Sequence, residues 1–175
     1  MHTVIKCFLS RPVFYTPLIL MLASVTALAG AYISQYVFGY QPCNLCLYQR
    51  VPYAVVIGLS LLALFLRSKP GLIWWIVGIC VLALMVEVGI AAFHVGVEQK
   101  WWEGLDTCGG GDVPMTMEEL RAMIANAPLA RCDDPGFYFL GLTMAAWNVF
   151  YALSLAVLGI VGCIGIKRHF MKKEE

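Results

Sequence analysis

Four long apolar runs, almost free of charge, divide the chain. The first lies within Val13–Val37 and carries no charged residue; the second extends roughly from Leu47 to Leu66, with Arg50 near its start. The third covers about Leu72 to Ala92 with Glu87 towards its far end, and the fourth, Leu142–Ile166, is again uncharged. Each reaches the ~20 residues that a helix needs to cross a hydrocarbon core. Inside a bilayer the backbone groups of each run must pair with one another, which predicts helix for all four. The expected architecture is an all-α, four-helix transmembrane bundle, with spans near 13–37, 47–66, 72–92 and 142–166. Lys6 and Arg11 ahead of the first run are reminiscent of a signal peptide. That run is too long, and no small-residue cleavage site clearly ends it, so the span is expected to be retained.

The segment between the third and fourth runs has a different pattern. It begins near His94 with Trp101–Trp102 close behind, a pair suited to the headgroup boundary. Thr116-Met117-Glu118-Glu119 forms a Thr-x-x-Glu capping box. Met117, Leu120, Met123, Ile124 and Ala127 then recur at helical spacing, until Asn126-Ala127-Pro128 closes the pattern. A short amphipathic helix is expected there, lying on the membrane surface or packed on its own loop.

Composition agrees with this class. Hydrophobic residues make up 61% of the 175 positions and charged residues 13%, and the mean hydropathy is +0.77. Soluble domains carry roughly 25% charge. One membrane domain, residues 1–175, accounts for the length. A net charge of +1 and the lack of a basic cluster with interleaved aromatics speak against nucleic acid as a partner. Eight of the twelve basic residues (Lys6, Arg11, Arg67, Lys69, Lys167, Arg168, Lys172, Lys173) fall at the ends and in the loop that share one side. The positive-inside rule makes that side, and both termini, cytoplasmic. The loops near 38–46 and 93–141 then face outward, the longer one with eight acids against three bases.

That orientation gives the seven cysteines meaning. Cys43, Cys46, Cys108 and Cys132 lie outside, where disulfides persist. Cys7, Cys80 and Cys163 are expected to be small apolar residues. Cys43 and Cys46 form a C-x-x-C pair in Gln41-Pro-Cys-Asn-Leu-Cys-Leu-Tyr-Gln-Arg50. Such a pair can staple a loop, hold a metal or cycle between dithiol and disulfide. Four-cysteine zinc sites usually pair two close knuckles, whereas Cys108 and Cys132 are 24 positions apart. Haem attachment fails because Leu47 stands where that motif needs histidine. A stapled structural protein explains the cysteines but not Arg50, whose burial costs up to about 2.5–3.5 kcal/mol at a span centre and less at the rim.

For exchange, the attacking group is a thiolate, favoured by positive charge or a helix N-terminus. Cys46 stands near the start of the second run, and Arg50 follows by four residues, on the same face if the turn between is helical. Pro52 lacks an N–H and crowds the carbonyl at position 48, so regular helix is expected only from about Tyr48. Glu87, at depth on the same outer side, could pair with Arg50, carry protons or pack in the bundle. Cys108 and Cys132 bracket the expected amphipathic helix beside Gly109–Gly111 and a turn-rich Asp133-Asp134-Pro135-Gly136 stretch, which allows them to meet.

Together these features resemble the disulfide bond formation protein B (DsbB) family of bacterial inner membranes, over nearly the whole chain. The resemblance rests on four spans, Pro-Cys-x-x-Cys-x-Tyr-x-Arg after the first, a second outer cysteine pair, and Phe139-Leu-Gly-Leu142 leading to Trp147. It implies a thiol:quinone oxidoreductase that reoxidises a periplasmic DsbA-like thioredoxin-fold protein. By the matching order, Cys108 would form the mixed disulfide with that partner, Cys132 would exchange with Cys43, and Cys46 would pass electrons to the quinone. Arg50 would contact the quinone, and His94 looks like the family's histidine near it. An oxidase near −120 mV calls for a high-potential acceptor, so ubiquinone is expected, with menaquinone as the alternative. Gln49 replaces an acid found in some members and Pro52 closely follows the arginine; both bear on geometry rather than on the reacting groups. A related branch serves a dedicated partner. Vitamin K epoxide reductase-type enzymes combine similar elements, but there the C-x-x-C is expected late in the chain.

Overall fold

A computed structural model describes residues 11–66, 68–105, 116–118, 130–135 and 137–174. Helix α1 spans Pro12–Tyr36, and Pro12 occupies a first-turn position that has no helical N–H bond to lose. A loop through Gly39 leads to a short helix α2, Asn44–Tyr48, and then to α3, Arg50–Phe65. Gln49 between them keeps right-handed helical angles, φ −65° and ψ −18°. The interruption falls where Pro52 has no N–H for the Tyr48 carbonyl. It leaves one apolar rod, Asn44–Phe65, long enough to cross a membrane, beginning three residues before the predicted span.

A tight turn delivers Pro70 to the start of α4, Pro70–Glu98. This helix continues six residues past the predicted span end. Phe93, Val95 and Val97 still supply apolar positions there, while His94 and Glu98, one turn apart, are both buried. Before the last helix, strands β1 (Tyr138–Phe139) and β2 (Leu142–Thr143) pair antiparallel around Leu140–Gly141, both at positive φ, 52° and 79°. Two left-handed residues match the twist of a two-residue hairpin. The Trp147 indole N–H donates to the Phe139 carbonyl at 2.9 Å and ties the hairpin to the next helix. Thr143 caps that helix, α5 (Met144–Glu174), by accepting from the Ala146 N–H at 3.1 Å. Of the amphipathic helix expected near 117–127, only its first residues are described, with Met117 and Glu118 helical.

Four rods, Pro12–Tyr36, Asn44–Phe65, Gly71–Glu98 and Met144–His169, are long and apolar enough to span a bilayer. Contacts between α4 and α5 pair Glu87 with Asn148 and Trp74 with Cys163, which makes the two antiparallel. Leu20, Val56, Ile73, Leu84 and Ala156 lie in the shared core. Small residues allow close approach: a Cβ on Gly162 would run into the Thr16 methyl of α1. Cys80 is buried in this core and Cys163 packs against it, as apolar positions should. Trp75, Leu82 and Val157 remain exposed on the outer faces, as suits contact with lipid.

Candidate active site

The site sits where α2, the outer turns of α4 and the start of α5 converge. Cys43 is the N-cap of α2, in extended conformation, and its sulfur accepts the Cys46 N–H at 3.2 Å. This is the role usually taken by a serine or aspartate oxygen. Its thiol donates in turn to the Cys46 sulfur at 2.8 Å. That hydrogen bond and burial push the Cys43 thiol up from its ordinary value, so the proton of the pair rests on Cys43. Cys43 is 3% exposed, whereas Cys46 is half-buried and both are free thiols.

Arg50 follows on α3. Its guanidinium lies 4.8 Å from the Tyr32 ring centroid on α1, a cation–π contact, while its buried Nε has no hydrogen-bond partner among the described residues. Both Cys46 and Arg50 line one cavity of about 670 Å³, so the helical turn between them does put them on a common face. Ala27, Leu28 and Ala31 of α1 and Phe150 and Tyr151 of α5 form apolar walls; His94, Glu98 and Asn148 add polar groups. The Tyr40 and Phe137 rings meet at 5.6 Å, joining the two outer loops beside it.

His94 is buried among four partners. Its Nδ1 lies 2.9 Å from Gln49 Nε2, and its Nε2 lies 3.6 Å from Cys43 Sγ and 3.8 Å from Glu98 Oε1. The ring also hydrogen-bonds the backbone of Cys132. Glu98 is fixed by the Thr143 hydroxyl, which donates to it at 2.6 Å. Cys132 is 1% exposed and packs with Cys43, Leu45 and Val97. It is engaged in a disulfide. Cys108 lies outside the described residues. Beside Cys132, the exposed Arg131 grips Asp133 through two hydrogen bonds of 2.9 and 2.8 Å, which lower the Asp133 carboxyl and raise the guanidinium. Of the six site residues expected from sequence, the fold gathers five: Cys43, Cys46, Arg50, His94 and Cys132.

Sequence reasoning missed Glu98, Tyr32 and Asn148, and treated Gln49 as a mere departure. A signal existed for Glu98, one turn after His94. For Asn148 there was only its polarity in an apolar run. Glu87 makes no ion pair with Arg50 among the described residues; it accepts from Asn148 Nδ2 at 2.6 Å. A metal would find three donors close together, Cys43, Cys46 and His94, within 4.8 Å of one another. Among the described residues, that set is one ligand short of a closed structural zinc site.

A dithiol at a helix start, beside a half-buried arginine at the end of four membrane-crossing helices, defines a multi-pass membrane thiol protein. Family comparison identifies it further. Residues 14–162 match the family model for disulfide bond formation protein DsbB, and the chain belongs to that family. It is similar to disulfide bond formation protein B of Xylella fastidiosa (strain Temecula1), 30% identical over 157 residues covering 83% of this chain and 85% of the relative. Its counterpart in Acidovorax sp. (strain JS42) is 31% identical over 154 residues, covering 79% and 80%. An uncharacterized protein, RP370, of Rickettsia prowazekii is 29% identical over 148 residues, covering 82% and 84%. No solved structure matches the chain. The chain is thus a membrane disulfide oxidoreductase of protein disulfide bond formation.

Proposed function

We propose that the protein withdraws two electrons from the dithiol of a periplasmic, DsbA-like thioredoxin-fold protein and delivers them to a quinone of the bacterial inner membrane. The observation that carries this reading is the Cys43–Cys46 dithiol at the wall of an apolar cavity, with the Arg50 side chain in the same wall. A quinone would supply two-electron, two-proton acceptance there. Its polar oxygen suits the positive charge of Arg50, and its ring suits the Ala27, Leu28 and Phe150 walls.

The chain's own residues divide the work. The partner's thiolate attacks the Cys108–Cys132 disulfide at Cys108, releasing Cys132. Resolution of that mixed disulfide by the partner's second thiol leaves the partner oxidised and the loop pair reduced. Cys132 as thiolate then attacks Cys43 of the oxidised inner pair, and Cys46 leaves as thiolate. The buried contact of Cys132 with Cys43 supports this exchange. Cys46 faces Arg50 and the cavity, so the electron pair leaves from Cys46. As Cys108 attacks Cys132 of the interpair bond, the loop disulfide re-forms; oxidation of Cys43 and Cys46 then releases two electrons and two protons. Ubiquinone is the proposed acceptor, with menaquinone as the alternative. The cysteine loops are periplasmic and both termini cytoplasmic.

A coupled assay tests the reading: purified protein, a reduced thioredoxin-fold partner, and ubiquinone or menaquinone analogues followed by their absorbance. Turnover is expected with the parent and abolished in Cys46→Ser. Turnover retained in Cys46→Ser overturns the electron path, and turnover without any quinone overturns the acceptor.

A further inference from the structure

Polar side chains from three helices connect the buried carboxyl of Glu87 to the redox pair. Glu87 on α4 is 0% exposed, and its Oε1 accepts one hydrogen of Asn148 Nδ2 on α5 at 2.6 Å. Asn148 Nδ2 gives its other hydrogen to Gln49 Oε1 at 2.7 Å, while Asn148 Oδ1 accepts from the Tyr53 hydroxyl of α3 at 2.6 Å. Gln49 Nε2 faces His94 Nδ1 at 2.9 Å. Each amide thereby has its oxygen end and its nitrogen end committed.

The directions leave one arrangement of protons at His94. Gln49 Nε2 can only donate, so His94 Nδ1 accepts and the ring proton is on Nε2. That N–H faces Cys43 Sγ and Glu98 Oε1, both acceptors. Turning both amides over would reverse every donor, put the proton on Nδ1, and aim a bare nitrogen lone pair at those acceptors. The amides have nearly the same shape either way round, so shape alone does not choose. Glu87 does. As a carboxylate its Oε1 can only accept, and so it requires an N–H from Asn148.

We propose that Glu87 is a positioning residue which, through Asn148 and Gln49, fixes His94 as the Nε2–H tautomer and so presents a donor to Cys43 Sγ. This rests on the exchange between Cys132 and Cys43 described above. Its consequence is an uncharged donor held at the sulfur that Cys132 attacks. The opposite tautomer would set a lone pair against that sulfur and against Glu98 Oε1.

The test is the nitrogen NMR spectrum of histidine-labelled protein in lipid, with neither quinone nor partner present. The chain has three histidines, and a His94→Asn variant assigns the signal. The parent is expected to show His94 protonated at Nε2. Glu87→Gln retains an oxygen for Asn148 and should keep that spectrum. Glu87→Met removes the acceptor; it should give mixed tautomers and slow turnover by about tenfold or more, the scale on which groups orienting a functional histidine act. Should Glu87→Met fail to fold, Asn148→Leu cuts the same chain one residue nearer the ring. A parent spectrum showing Nδ1–H, or an unchanged tautomer in a folded Glu87→Met or Asn148→Leu protein, overturns the proposal. Because the spectrum needs no electron acceptor, it stands or falls separately from the proposed quinone reaction.

Discussion

At the scale of single residues, Arg50 shows how a cost becomes a clue. A guanidinium at the membrane rim is retained against an unfavourable transfer free energy. Tyr32 offsets part of that through its ring face, and the Arg50 side chain still lines the cavity. A hydrogen bond from a charged donor contributes about 1.5–3 kcal/mol. Arg50→Ala should therefore raise the apparent KM for quinone about tenfold or more, with the KM for the protein partner little changed. Steady-state kinetics with each substrate varied in turn checks this, and an unaltered quinone dependence removes Arg50 from the acceptor site. The arginine was legible in the sequence because charge in an apolar run stands out. Gln49 and Asn148 were not, because a single neutral amide in such a run has no pattern of its own. Their meaning arises only when α3, α4 and α5 bring them within 3 Å of one another's partners.

At the scale of elements, the apolar runs located all four rods, since a bilayer admits few alternatives to a helix. The ends were harder to read. Hydropathy falls near Phe93, but α4 continues to Glu98 because Val97 is buried and Glu98 is tied to Thr143. The start of α2 was hidden for another reason. A cysteine as N-cap is not a usual start signal, and Pro52 argued for a later start. Packing between rods depends on small residues that composition does not mark. Gly162→Leu would place new atoms into the space held by the buried Thr16 side chain, an overpacking worth about 1–3 kcal/mol. The expected result is a lower thermal midpoint in detergent. Gly78→Ala, whose Cβ would meet nothing within 4 Å, should leave the midpoint nearly unchanged. Equal midpoints for Gly162→Leu and the parent would show that α1 and α5 approach less closely than described.

At the scale of the whole molecule, the placement of charge decides which face of the bundle meets which compartment. Antiparallel packing puts the start of α1, the α3–α4 turn and the end of α5 at one end, with Arg11, Lys69, Lys167 and Arg168. The opposite end carries Glu98, Glu103, Asp133 and Asp134 around the cysteines. Anionic lipid on the cytoplasmic leaflet attracts each nearby Lys or Arg by about 1 kcal/mol, so four such residues make the inverted orientation strongly unfavourable. The same orientation is what the proposed chemistry requires, because a loop disulfide bathed in cytosolic thiols would be reduced as fast as it formed. The two arguments are independent, and one labelling experiment addresses both. In a functional background, Glu103→Cys and Ser68→Cys are compared for reaction with a membrane-impermeant thiol reagent. Glu103→Cys should label in spheroplasts with intact membranes, and Ser68→Cys only after the membrane is permeabilised. The reverse pattern would place the dithiol in the reducing compartment and remove the basis for a disulfide-donating role.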